Sequence, residues 1–174
     1  MQIAQRGDRR AFDRLAREQQ DWLYNLAYRL TGDARAASVA VEQTLAQAWR
    51  DLPGSGCGPV QVWLARIAVQ ACCAELDRRG DPPVMVTAPA ANSAPPDGGR
   101  PSPEYPLSDG ATEEQIQRCL DRLPLEERTA LVLVDILGLD YAEAAQVTGR
   151  PASTVTRRLA RARVRLGELL KAGA

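Results

Sequence analysis

The sequence predicts an all-α protein built as two small helical domains on a flexible Pro/Ala/Gly-rich linker. Three observations carry this. Apolar residues recur at three- and four-residue intervals over most of the chain, the spacing of one helix face. Strand formers are scarce, with Phe12 the single phenylalanine in a chain rich in Ala and Arg. Between two periodic regions lies GDPPVMVTAPAANSAPPDGGRPSPEYPLSDG, Gly80 to Gly110, which has almost nothing to bury and cannot offset its ordering entropy. The predicted boundaries are 1–79 for the first domain, 80–111 for the linker and 112–174 for the second domain.

In the first domain, Phe12, Leu15, Trp22, Leu23, Leu26, Ala27 and Leu30 mark a helix that Thr31-Gly32-Asp33 punctuates. A second helix runs from Ala34 to Trp49 on Val41, Leu45, Ala48 and Trp49. The stretch DLPGSGCGP, Asp51 to Pro59, reads as a loop. Val62, Trp63, Ile67 and Leu76 mark a third helix ending near Arg79. The aromatics Trp22, Tyr24, Tyr28, Trp49 and Trp63 sit at helical spacing among Leu and Ala, which reads as core rather than as a stacking platform for bases. The second domain begins near Ala111, passes Ile116, Leu120 and Leu123, stops at Pro124 and restarts as the helix LEERTALVLVDILG.

The last quarter, LDYAEAAQVTGRPASTVTRRLARARVRL, reads as two helices joined by a tight turn. Asp140 and Glu143 stand at capping-box spacing, and Gly149 stands where the shorter helix must end in a left-handed residue. Tyr141, Ala144, Ala145 and Val147 give that helix a short apolar face, with Tyr141 anchoring it. Pro151 falls at the first turn of the next helix, where a missing N–H costs nothing. Wound at about 100° per residue, residues 151–171 place Val155, Leu159, Ala162, Leu166 and Leu169 on one side. Arg157, Ala160 and Arg161 fall opposite, Thr156 and Arg158 flank them, and Thr154 lies near the N-terminus, where backbone N–H groups favour a phosphate. A helix of this kind offers guanidinium forks to guanine edges or phosphate oxygens in a major groove.

Net charge hides the asymmetry, because 22 basic side chains balance 22 acidic ones. From Arg150 onward, six arginines and Lys171 stand against Glu168 alone, whereas Thr112 to Gly149 is mainly acidic. A basic edge on an acidic body orients a module on a polyanion while limiting sequence-blind affinity.

Other classes are excluded or bounded. There is no histidine, P-loop, nucleophile elbow or metal-ligand cluster, so neither an enzyme, a metal nor a cofactor is expected. Cys57, Cys72, Cys73 and Cys119 lack paired ligand spacing, and Cys72 and Cys73 read as small buried apolar residues. MQIAQRGDRR lacks the apolar core of a signal peptide, and no apolar run is long enough to insert in a membrane, which predicts a cytoplasmic protein.

These strings carry a resemblance. LPLEERTALVLVDILGLDYAEAAQVTG followed by STVTRRLARARVRL is similar to the C-terminal domain of the extracytoplasmic-function sigma factors of bacterial RNA polymerase, and GDRRAFDRLAREQQDWLYNLAYRLTGDA, QTLAQAWRDL and VWLARIA are similar to their N-terminal domain. The resemblance implies a sigma region 4-like helix-turn-helix reading the −35 element through Thr154, Thr156, Arg157, Arg158, Ala160 and Arg161. It implies a region 2-like domain in which Glu42, Gln43, Thr44 and Gln47 dock on core polymerase, and Arg66, Gln70, Arg78 and Arg79 contact the −10 element or single strands. The implied partners are core RNA polymerase through its clamp and flap, promoter DNA, and an anti-sigma factor or accessory protein. Family members are commonly acidic where this chain reads ARAASVAVEQT, with Arg35, Ala36, Ser38 and Val39. Two functions follow: a sigma factor that directs initiation, or a sigma-like DNA-binding adaptor that needs a partner and does not initiate alone.

Overall fold

The computed structural model describes residues 9–52, 59–80 and 112–172. Among the described residues there is no strand, as the all-α reading expects. In chain order the elements are α1 (Arg9–Thr31), α2 (Ala34–Asp51), α3 (Val60–Arg79), α4 (Glu113–Asp121), α5 (Leu125–Leu131), a π-helical turn (Val132–Ile136), α6 (Tyr141–Thr148) and α7 (Ala152–Ala172). Contacts divide the chain into two compact units, Met1–Gly80 and Asp81–Ala174. Apart from Gly80, the predicted linker lies outside the described residues, as do 53–58 of the predicted loop, Cys57 among them.

In the first unit each of the three helices packs on the other two. The turn between α1 and α2 is closed locally. Gly32 takes φ of 68°, a left-handed conformation, and donates its N–H to the Tyr28 carbonyl at 2.8 Å. Asp33 then caps α2, accepting the Ala36 N–H at 2.7 Å. The same carboxylate accepts Arg79 Nη2 at 2.6 Å, which ties the end of α3 to the start of α2. The Ala36 N–H first, and Arg79 second, hold the Asp33 carboxyl below the usual carboxylate range. The buried face of α2 is made mostly of small side chains, Ala36, Ala37, Ala40, Val41, Thr44 and Ala48, so its neighbours approach closely. Larger groups fill the space from either side: Leu23, Leu26 and Leu30 from α1, Leu64 and Ile67 from α3.

Three expectations are corrected here. Thr44 is wholly buried, its hydroxyl donating to the Ala40 carbonyl at 2.6 Å, because it repeats at i+4 from Ala40 and i−4 from Ala48 on the packed face. It therefore cannot present its hydroxyl to a docking partner. Trp49 is not core but 38% exposed, one residue round the helix from buried Ala48. Its inner edge meets Phe12, with ring centroids 5.1 Å apart and planes at 58°. Tyr24, also 38% exposed, stacks on Tyr28 with centroids 6.3 Å apart. Trp22 and Trp63 are half-buried, as is Cys73, while Cys72 is fully buried.

In the second unit α4, α5 and α6 all pack on α7. Thr112 and Gln115 form a capping box on α4, and Pro124 ends the Leu123 turn with its carbonyl accepting the N–H groups of Glu127 and Arg128 at 2.9 and 2.8 Å. Arg128, buried under this turn, donates Nη2 to the Asp121 carbonyl at 2.6 Å and the Leu123 carbonyl at 3.3 Å. The predicted continuous helix LEERTALVLVDILG is interrupted. It is α-helical to Leu131, then widens into the π-turn, with the Leu137 N–H reaching the Val132 carbonyl at 2.9 Å. Burial is continuous from Glu127 in α5 through Val134 in the π-turn, which makes this segment the centre of the second unit's core.

Candidate nucleic-acid interface

The helix pair at the C-terminal end is fixed by local chemistry. Asp140 accepts the Glu143 N–H at 2.7 Å and Glu143 accepts the Asp140 N–H at 2.9 Å, completing the capping box. Gly149 ends α6 with φ of 63°. Pro151 sits immediately before α7 rather than in its first turn, its carbonyl accepting the N–H groups of Thr154 and Val155 at 2.9 and 3.2 Å. Either position suits a residue with no N–H to satisfy.

Helix α7 separates its faces. Val155, Leu159, Ala162 and Leu166 are buried, and Leu169 is half-buried. On the outer side Arg157 and Ala160 are exposed, while Thr154, Thr156, Arg158 and Arg161 are half-buried. Thr156 turns its hydroxyl back to the Ala152 carbonyl at 3.0 Å. Val164, 60% exposed one turn beyond Ala160, continues this outer face and was not singled out from the sequence.

The arginines are not equivalent. Arg163 grips Asp135 bidentately, at 2.9 Å from Nε and 2.6 Å from Nη2. Arg165 bonds Glu127 at 3.0 Å, and Arg158 pairs with Glu126. Burial pushes the Glu127 carboxyl above the usual carboxylate range; Arg165, Arg161 and Arg158 pull it back without cancelling the rise. Among the described residues, Arg157 and Arg161 form no ion pair. The acidic body thus neutralises part of the basic helix directly.

In the first unit, Glu42 and Gln43 are exposed on α2. Gln47 is half-buried and joined to its own helix: its Nε2 donates to both Asp51 oxygens at 2.8 Å and its Oε1 accepts from Arg50 at 2.7 Å. On α3, Arg66 and Gln70 share an exposed face one turn apart. Arg78 and Arg79 are instead engaged by acids, Arg78 with Glu75, Arg79 with Asp33 at 2.6 Å and Glu75 at 3.6 Å. Among the described residues no cluster of metal-ligating side chains occurs, and no helix is long and apolar enough to cross a membrane.

The fold and this helix pair define a helix-turn-helix protein of the kind that reads duplex DNA. Comparison with known proteins specifies it further. Residues 113–166 match the family model described as Sigma-70, region 4. The chain is 36% identical over 172 residues to the ECF RNA polymerase sigma factor SigM of Mycobacterium tuberculosis, covering 94% of this chain and 79% of that one. It is 33% identical over 173 residues to the RNA polymerase sigma-H factor of Pseudomonas aeruginosa, covering 96% and 90%. The chain belongs to the extracytoplasmic-function (ECF) sigma factors of RNA polymerase. Its fold is shared with the sigma factor RpoE solved with the anti-sigma factor NepR from Bartonella quintana (TM-score 0.71, 24% identity, 92% of this chain and 97% of that one). It is shared too with CnrH, solved with the cytosolic domain of CnrY (TM-score 0.70, 23% identity, 99% and 95%).

Proposed function

We propose that this sigma factor divides initiation between its two units, binding core RNA polymerase and directing it to promoters without catalytic chemistry of its own. Residues 112–174 read the −35 element, with Arg157 and Arg161 as base-edge contacts and Thr154, Thr156 and Ala160 beside them. Residues 1–79 dock on the polymerase clamp through the exposed Glu42 and Gln43 with Gln47, and meet the −10 element through Arg66 and Gln70. Residues 80–111 serve as a tether that lets each unit reach its own site and gain effective concentration from the linkage. The protein works in the cytoplasm and is held in check by an anti-sigma or accessory protein, the kind of partner seen on the RpoE structure.

The observation that carries this reading is that Arg157 and Arg161, on the outer side of a capped recognition helix, form no ion pair among the described residues, Arg157 being exposed and Arg161 half-buried in the field of Glu127. Its test uses holoenzyme assembled from core polymerase and this chain, with promoters selected from a random duplex pool. Arg157→Ala and Arg161→Ala should each weaken binding to the selected promoter by about 1–3 kcal/mol and relax base preference at one position. An equal loss on every sequence would assign both to phosphates instead. Competition with a labelled housekeeping sigma factor for core polymerase tests the docking half. Failure to displace it would favour the adaptor that needs a second protein.

A further inference from the structure

We propose that Glu126 is a positioning residue for DNA recognition: by holding Arg158 it keeps that guanidinium away from phosphates, so that α7 meets DNA chiefly through Arg157 and Arg161. The inference rests on the DNA-reading role of α7 and goes beyond it by assigning a function to a residue on α5.

The three acids that engage α7 are not alike. The side chains of Asp135 and Glu127 are only 10% and 8% exposed, so their pairs with Arg163 and Arg165 are part of the interior packing of the unit. Glu126 is 62% exposed. Burial does not require it to be paired, and an exposed ion pair contributes little to stability. Its consequence is directional. Arg158, 19% exposed, lies beside Arg157 and three residues before Arg161 on the same helix, within side-chain reach of the backbone flanking any base those two would read. A guanidinium there adds affinity for every sequence equally, because phosphate contacts carry no base information. Each phosphate neutralised steepens the dependence of log K on log salt by about 0.9. Glu126 occupies Arg158 and competes with the phosphate for it, lowering sequence-blind affinity while leaving the base-reading pair untouched.

The test compares the 174-residue chain with its variants E126Q, R158A, E126Q/R158A and R161A. Each is titrated against fluorescein-labelled duplexes of scrambled sequence and of the selected promoter over a range of KCl concentrations, with anisotropy as the readout and far-UV circular dichroism as the check of folding. E126Q should bind about three- to fivefold more tightly at low salt, the worth of one surface ion pair, and its salt slope should steepen by about 0.9. R158A should match the parent slope, and E126Q/R158A should return to it. An unchanged E126Q overturns the proposal. So does a gain that persists in E126Q/R158A, which would mean that the carboxylate merely repels DNA. R161A separates this failure from that of the underlying reading. If R161A loses affinity for the selected promoter while E126Q is unchanged on scrambled duplexes, the DNA-reading role stands without Glu126. If all five proteins bind alike on both duplexes, both fall.

Discussion

Replacing Asp135 with Ala removes the acid that anchors the middle of the recognition helix to the π-turn. The pair is bidentate, with N–O distances of 2.9 and 2.6 Å, and its side chains are 10% and 26% exposed for Asp135 and Arg163. Orphaning one partner of a fully buried pair costs about 3–5 kcal/mol, whereas an exposed pair contributes about 0–1 kcal/mol. Arg163 is a quarter exposed and can rehydrate in part, so the expected cost is about 2 kcal/mol, between those limits. For a small unit with an m-value of about 1 kcal/mol per molar urea, the unfolding midpoint should fall by about 2 M. Tryptophan fluorescence reports the first unit, because Trp22, Trp49 and Trp63 all lie there, so the second unit is followed by far-UV circular dichroism. A cycle with Arg163→Ala isolates the pair and should return a coupling of about 1–2 kcal/mol. Coupling indistinguishable from zero would refute the assignment of this pair as the anchor.

Three further outcomes are expected. Asp33→Asn keeps a capping side chain but loses the charge facing Arg79; because the folded-state pKa of Asp33 is lowered, its contribution is present above the ordinary carboxylate range and lost as pH falls through the depressed value. The stability gap between parent and variant should therefore be open at neutral pH and close below about pH 4, measured by urea titration at each pH. Gly149→Ala places a methyl in open space at φ of +63°, so its cost is backbone strain alone, about 1–2 kcal/mol, read as a lowered melting temperature of the second unit. Burial, with a smaller push from Cys73, raises the Cys72 thiol to about 12. Iodoacetamide at pH 8 should therefore leave Cys72 unmodified in the folded chain and alkylate it in urea, with peptide mass spectrometry as the readout.

Much of the interface was legible in the sequence, and its legible part is the local part. The Asp140 and Glu143 box, the left-handed Gly149 and the apolar stripe Val155, Leu159, Ala162 and Leu166 all act over one or two helical turns, where spacing alone dictates geometry. The Thr31-Gly32-Asp33 break was legible for the same reason, since a left-handed glycine and a cap need only neighbouring residues. Thr44 and Trp49 were misread because helical periodicity identifies a face without saying how far around the helix its neighbours reach. For Thr44 the family motif pointed outward while packing took the residue in; for Trp49 the apolar pattern pointed inward while Ala48 already filled the contact.

By itself, then, the sequence determined an all-α chain, the apolar stripe and the chemistry of the recognition helix, and a resemblance that the relatives support. Only the tertiary structure decided which of those arginines are paired with acids. Arg158, Arg163 and Arg165 meet their acids across 32, 28 and 38 residues of chain. Partners so distant are chosen by how α5 and the π-turn pack against α7, and one extra residue in that turn would rotate Asp135 away from Arg163. A count of charges along the sequence cannot carry that information, because ion pairing depends on separations of a few ångströms that exist only once the core has closed.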